Sequence, residues 1–277
     1  MTLHKHLIFL FIFIFSSIKI VTAQGISGNG NVIKKERPVS AFTSIKTSNG
    51  WDLELTQGNS HTLVIEADEN LVDLVKTEIQ GNTLIIHSEA NINRSKMRKI
   101  HLTFVEVNTI EASGGADVVA KNDIQSGDFS IKCSGGSDLS LAQLSCDHFD
   151  GQFSGGSDAN IGFSACNAAD IIARGGSDLL IKEIKAEKLT LDLMGGSDAK
   201  LMGQVENLEL NGAGGSDVSA TNLEVKMAKI YLAGASDGKF NILDKLDLSL
   251  SGGSDFECKG KPELTHKDIC RSCDVRM

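Results

Sequence analysis

A short signature, Gly-Gly-Ser-Asp or a close variant, recurs through the C-terminal two-thirds of this chain at a nearly fixed interval. It occurs as SGGAD at 113–117, SGGSD at 134–138 and 154–158, RGGSD at 174–178 and MGGSD at 194–198, then as AGGSD at 213–217, AGASD at 233–237 and SGGSD at 251–255. The aspartates Asp117, Asp138, Asp158, Asp178, Asp198, Asp217, Asp237 and Asp255 are separated by 21, 20, 20, 20, 19, 20 and 18 residues. Self-similarity at that period marks a stack of small units, each too short to bury a core alone. Two weaker copies extend the series: Ser48-Asn49-Gly50-Trp51-Asp52, and Arg271-Ser272-Cys273-Asp274, whose aspartate lies 19 residues after Asp255.

Between signatures the apolar residues alternate. Phe129, Ile131 and Cys133 precede one corner, Leu189, Leu191 and Leu193 another, and Leu246, Leu248 and Leu250 a third. The alternation resumes after the corners at Leu139 and Leu141, Leu179 and Ile181, and Val218 and Ala220. Period two means strands with one buried face, so each repeat reads as strand, Gly-Gly corner, strand, second corner. Stacking buries the apolar faces if each strand pairs in parallel with its equivalent one coil away, ~4.8 Å along the axis. The expected fold is all-β, a parallel β-helix of about ten coils, right-handed because parallel crossovers favour that hand. A propeller blade needs about 40 residues and does not fit the period.

The stretch 24–107 breaks the period and reads as an irregular first coil and cap on the same domain, 24–277, with the regular coils over 108–277. Strands are expected over 61–67, 83–88 and 99–105, with a short helical turn over 70–79. Residues 1–23 read as a secretory signal peptide: a weakly basic start at His4-Lys5-His6, an apolar run Leu7 to Phe15, and small residues Val21-Thr22-Ala23 before a cut. No later apolar stretch approaches ~18 residues, so no integral membrane segment is expected in the mature chain. Its expected location is the periplasm, the outer surface or the extracellular medium. The net charge of −9 becomes −11 when Lys5 and Lys19 leave with the signal. An acidic chain without a basic cluster is poorly suited to nucleic acid, where Lys and Arg must displace phosphate counterions.

The corner residues have structural duties. Glycine supplies φ > 0 and close approach between coils, and Ser and Asp hydrogen-bond nearby backbone N–H groups. Stacking also creates a row of like charges. At ~5 Å and an effective dielectric of ~20, neighbours repel by about 3 kcal/mol. Backbone donors and serine hydroxyls can offset this, or a row of cations can, calcium being the hard cation that suits carboxylates. The eight signature aspartates are therefore the candidate cation or ligand ladder, although one Asp per coil is ligand-poor. No catalytic residue emerges, because the acidic residues are near-identical repeats. The histidines His61, His87, His101, His148 and His266 are scattered without metal spacing and read as solvated. Arg174 is the one cation just before a Gly-Gly pair and is expected to pair with neighbouring aspartates.

Six cysteines in an exported chain permit disulfides. Cys146 and Cys166 each lie eight residues after a signature aspartate, which stacks them one coil apart, within disulfide range. Two unbridged core thiols are the competing reading. Cys270 and Cys273 either close locally or reach Cys258. Zinc at Cys270-x-x-Cys273 lacks a second ligand pair.

These residues resemble the putative auto-transporter adhesin, head GIN domain family, common in Bacteroidetes. The resemblance runs through Gly28-Asn29-Gly30, then Arg37-Pro38-Val39 with Phe42 and Ile45, Ala67-Asp68 with Asn70-Leu71, the Gly81–Ile86 strand, the Ser-Gly-Gly-Ser-Asp array and Lys259-Gly260-Lys261-Pro262. Cys273 departs from it, standing where the last corner would carry Gly or Ser. The resemblance implies a β-helix in an exported, often surface or periplasmic protein, with no catalytic residues, that binds host or matrix surfaces. The expected function is a non-enzymatic adhesin or cell-envelope binding or scaffold module without a cofactor, its partners a glycan or a surface or matrix protein. A polysaccharide-binding or polysaccharide-active β-helix is the alternative. Exposed coil ends would allow a homo-oligomer.

Overall fold

The computed structural model describes residues 25–277; the expected signal peptide lies outside them. Among the described residues there is no helix, and none long and apolar enough to cross a membrane. The chain forms a parallel β-solenoid of about eight turns, against about ten expected. The difference lies at the ends: the Asp52 corner opens onto the inserted strands of the cap, and the last strand, Asp274–Arg276, has only three residues.

The regular coils are long strands that wrap the core between corners: Leu139–Ser154, Ala159–Arg174, Leu179–Met194, Ala199–Ala213, Val218–Ala233 and Gly238–Leu250. Each pairs in parallel with the next, so equivalent side chains stack. One inner row runs Phe149, Ala169, Leu189, Leu208, Ala228, Leu246. Within a strand the alternation slips phase twice. In Leu179–Met194 the buried residues are Leu179 and Ile181, then Ile184 and Ala186, then Leu189, Leu191 and Leu193. The adjacent pairs Lys182-Glu183 and Glu187-Lys188 fall between these runs. Two successive outward residues reverse the pleat, so the chain must bend there for both flanking runs to face one core. A coil thus has three straight runs and three bends, one more than the alternation alone suggested. Glu183 occupies a bend with φ 56°.

Core packing sets residue size along the stack. Phe149 and Phe163 meet edge to face with ring centroids 5.3 Å apart. Gly151 lies between Phe149 and Phe153, and a Cβ there would come within 2.7 Å of the Phe149 ring. The aromatic layer therefore requires a residue without a side chain at 151.

The insertion continues the same sheet. Ser44–Thr47 pairs in parallel with Thr83–Ser88 on one side and Thr109–Ser113 on the other. Asp52–Gln57 pairs likewise with Arg98–Phe104 and Val118–Ala120. Beyond these, antiparallel strands close the end: Val75–Gln80 on Thr83–Ser88, and Thr62–Asp68 on Arg98–Phe104, then Val32–Arg37 on Thr62–Asp68. The buried apolar residues form one contiguous cluster from Phe42 to Cys258. The expected strands over 61–67, 83–88 and 99–105 form within a residue of those bounds. The helical turn expected over 70–79 does not. Only 69–74 turns, and Val75–Gln80 is a strand.

The cap is fastened by the residues that carried the family resemblance. Asp68, 0% exposed, accepts hydrogen bonds from the backbone N–H groups of Gly30, Lys96 and Met97. Burial raises its carboxyl pKa, but the Met97, Lys96 and Gly30 amides outweigh that and hold it below the usual carboxylate range. Asn70 Oδ1 accepts from the Asn29 N–H, and its amide donates to the Ser27 carbonyl. Arg37 donates to the carbonyls of Val72 and Val75, 2.7 Å each, tying strand Val32–Arg37 to the 69–74 turn and the start of the strand that follows it.

Candidate binding groove along the stacked corners

The signature aspartates stand in one row on the outside of the solenoid, and the signature serines in a second row inside it. Ser137, Ser157, Ser177, Ser197, Ser216, Ser236 and Ser254 are all 0% exposed. Each accepts at Oγ from the backbone N–H at the equivalent position of the preceding coil: Ser157 N–H to Ser177 at 3.2 Å, Ser177 to Ser197 at 3.1 Å, Ser216 to Ser236 at 3.1 Å. From Ser177 onward the hydroxyl also donates to the carbonyl three residues earlier, as from Ser177 to Arg174 and from Ser197 to Met194, both at 3.1 Å. The buried corner amides are thereby satisfied.

The aspartate row works in the opposite direction. At every step but Asp178 to Asp198, Oδ1 accepts the N–H of the aspartate one coil later: Asp117 from Asp138 at 3.2 Å, Asp138 from Asp158 at 3.0 Å, Asp158 from Asp178 at 2.9 Å, Asp198 from Asp217 at 3.0 Å, Asp217 from Asp237 at 3.2 Å and Asp237 from Asp255 at 3.0 Å. Both weak copies join it. Asp52 accepts from Asp117, and Asp255 accepts from Asp274, at 3.2 Å each. The like-charge row is thus offset in part by a backbone donor at each of these steps. Asp52, half-buried at the head of the row, has its pKa raised by burial, against the Asp117 amide, with the Asp117 charge adding to the rise.

The glycines make this stacking fit. Gly155 has φ 69°, and a Cβ on it would lie 3.3 Å from the Gly135 backbone nitrogen one coil below. At the first corner Asn49 adopts φ 63° in the equivalent place, and Trp51, fully buried, stands where later corners have serine. Arg174 is exposed, and its carbonyl takes part in the corner by accepting from Gly155 N–H and Ser177 Oγ. The last corner replaces this hydrogen bond with a covalent one. Cys273 occupies the serine position and is joined to Cys270, three residues earlier, by a disulfide with Cα atoms 5.3 Å apart. Cys258 is a buried free thiol, packed in the core of its strand and not bridged to them.

Beside the aspartate row runs a trough. Three hollows adjoin along it: about 360 Å³ from Asp138 to Leu180, about 530 Å³ from Asp178 to Lys239, and about 220 Å³ from Asp237 to Arg276. Neighbouring hollows share Asp178 with Leu179, and Asp237 with Lys239. Two residues after each carboxylate is a register-paired outer row of Ser140, Asn160, Leu180, Lys200, Ser219 and Lys239. The trough presents acceptors, hydroxyls, an amide and ammonium groups at the coil spacing of ~4.8 Å. Among the described residues no group of three or more His, Cys, Asp or Glu side chains has metal-binding geometry.

A second polar cluster lies on the cap. His101 is not a solvated group: its Nε2 is 2.6 Å from Glu66 and its Nδ1 3.1 Å from Glu54. Lys99 reaches Glu54 at 2.6 Å and Lys34 reaches Glu66 at 3.5 Å. The hydrogen bond from Lys99 holds the Glu54 carboxyl below its usual range, and that from His101 does the same for Glu66. These ion pairs join four neighbouring strands: Val32–Arg37, Asp52–Gln57, Thr62–Asp68 and Arg98–Phe104. Their sequence separations follow no period; the Glu54 contacts come from the parallel pairing of Asp52–Gln57 with Arg98–Phe104, and the Glu66 contacts from the antiparallel pairings of the cap. His61 stacks edge to face on Phe42, with ring centroids 4.9 Å apart.

Three crystal structures share the fold. A putative adhesin from Parabacteroides merdae is 18% identical with a TM-score of 0.68, covering 91% of this chain and 98% of its own. A putative lipid binding protein from Parabacteroides distasonis is 20% identical, TM-score 0.68, covering 91% and 99%. A putative adhesin from the same species is 17% identical, TM-score 0.68, with the same coverage. No curated protein matches the chain. The family model for the putative auto-transporter adhesin, head GIN domain, matches residues 41–202 and 164–262. With nearly all of the solenoid inside that match, the chain belongs to the head GIN domain family.

Proposed function

We propose that the chain is an exported, non-enzymatic binding module of the cell envelope or surface, and that its trough takes an extended, hydroxyl-rich polymer, a glycan in the first instance. The observation that carries this reading is the division of labour at the corner. The serine row is buried between the coils, whereas the aspartates are exposed and use Oδ1 for the next coil's amide, which leaves their outer oxygens to meet a ligand. Contacts that are weak singly add along a partner of matching repeat, because each later contact forms at high effective concentration. The family's description as an adhesin head, and the two neighbours described as putative adhesins, agree with a surface or exported binding role.

The test is a glycan and matrix-protein array probed with the mature chain and with the triple variant Asp158→Asn/Asp178→Asn/Asp198→Asn. Asparagine keeps an Oδ1 acceptor for the next coil's amide, so the variant retains the corner. Saturable glycan binding that the variant loses is the expected result. Binding to matrix proteins alone would move the partner class, hydrolysis of an arrayed glycan would make the chain an enzyme, and equal binding by variant and parent would remove the trough from the account.

A further inference from the structure

Away from the trough, at the bend that follows the second straight run of the coil, Cys146 and Cys166 are register partners on adjacent coils. Both are buried free thiols, 6% and 3% exposed, with Sγ atoms 3.5 Å apart. The four free thiols are not equivalent. Cys133 is stacked on Phe153 and has no thiol beside it in register, and burial pushes its pKa up to about 12. Cys258 is paired in register with Phe240. Only at 146 and 166 does the coil period superpose two sulfurs.

We infer that Cys146 and Cys166 form a redox pair: an inter-coil staple closed by thiol–disulfide exchange with a small or protein-borne disulfide. Three features support it. In-register parallel neighbours place Cα atoms at about the separation a disulfide spans. The backbone can give locally, because the pairing of these two strands shifts register between Leu144 and Ser145, just before the pair. Cys166 also lines an open hollow of about 440 Å³ with Asn167, Lys185 and Lys226, which gives an incoming disulfide room beside one sulfur. The hydrogen bond from Cys146 to Cys166, with burial added, pushes the Cys146 thiol up; the same bond pulls Cys166 down. Cys166 is therefore the attacking sulfur and Cys146 the resolving one.

The exchange balances in two steps. Cys166, having lost its proton, attacks one sulfur of a disulfide X–S–S–X, forms Cys166–S–S–X and expels X–S⁻. Cys146, deprotonated in turn, attacks the Cys166 sulfur, forms the Sγ–Sγ bond and expels the second X–S⁻. The two thiol protons end on the two leaving thiolates. Two protein thiols are oxidised and one disulfide is reduced to two thiols.

The test uses the whole mature chain, folded and reduced, then incubated with hydroxyethyl disulfide. Free thiols are alkylated after denaturation, and peptides are mapped without reduction. The expected product is a peptide pair joined through Cys146 and Cys166, lighter by about 2 Da than the two separate peptides. Closing that 20-residue loop should also raise the melting temperature by about 5–10 °C. Cys166→Ser, which keeps the fold by circular dichroism, should lose both the link and the rise. Cys270–Cys273 serves as the positive control for oxidation. If that pair oxidises while Cys146 and Cys166 are both recovered alkylated, or if either is found bridged to Cys133 or Cys258, the inference is overturned.

Discussion

Replacing Ser177 by alanine removes an acceptor that the inside of the solenoid cannot replace with water. Ser177 Oγ, 0% exposed, takes the N–H of Ser157 at 3.2 Å and donates to the Arg174 carbonyl at 3.1 Å. The carbonyl keeps its bond from Gly155. The Ser157 amide is left buried without a partner, which costs about 2 kcal/mol. For a chain of this size that lowers the melting temperature by about 4–8 °C. Asp158→Asn is the matched control. The new amide oxygen still accepts from Asp178, and one charge leaves a row whose neighbours, Asp138 and Asp178, stand ~4.8 Å away on either side. Weaker hydrogen bonding and relieved repulsion then oppose each other, leaving a net change within about 1 kcal/mol. Thermal melts followed by far-UV circular dichroism, on both variants and the parent at one salt concentration, read the difference directly. If Asp158→Asn falls as far as Ser177→Ala, the aspartates hold the coils and the division of labour at the corner is wrong.

Other parts of the fold give separate tests. Asp68→Ala strands the amides of Gly30, Lys96 and Met97 and should cost about 3 kcal/mol, read as earlier unfolding of the cap and faster proteolysis near residue 30. Because the folded-state pKa of Asp68 is depressed, its contribution is complete above the unfolded value of about 3.9 and is lost as pH falls through the lower folded value; the parent should lose cap protection below about pH 4 and the variant should show no such step. Gly151→Ala drives a methyl into the Phe149 ring and should destabilise by about 1–3 kcal/mol, whereas an unchanged melt would mean that the aromatic layer has slack. Calcium at millimolar concentration and fixed ionic strength should leave the melting temperature within about 1 °C, since each coil offers one carboxylate and hard-cation sites need six or more oxygens; a larger, calcium-specific rise would give the aspartate row a cation role.

Much of this architecture is written locally and was therefore legible. The period, the parallel stacking and all ten corners, including the faint ones at Asp52 and Asp274, follow from residues that act within a turn: glycine for φ > 0 and serine and aspartate for the backbone bonds. The shared phase of Cys146 and Cys166 was legible for the same reason. The third side of the coil was not, because its bends carry no repeated signature. Some coils have a glycine there, Gly162 or Gly203, and others an adjacent polar pair such as Lys182-Glu183, where alternation slips. In the cap, Val75, Thr77 and Ile79 alternate with period two, which in retrospect argues strand over helix across 75–80. The contacts of His101 depend on antiparallel register with the strand of Glu66, 35 residues away, and on parallel register with the strand of Glu54, and no sequence period encodes that. The trough, likewise, is a property of stacked coils and not of any one repeat.

The trough's role is tested most directly by ligand length. The glycan that binds best on the array should be titrated as a series of oligomers against the parent and the Asp158→Asn/Asp178→Asn/Asp198→Asn variant. A ligand that spans one coil, ~4.8 Å, meets one carboxylate, and a ligand that spans three or four meets as many. Affinity should rise at least tenfold, about 1.4 kcal/mol, between those lengths for the parent, and the rise should vanish in the variant. Affinity that is independent of length, or a rise that the variant keeps in full, would contradict binding along the aspartate row.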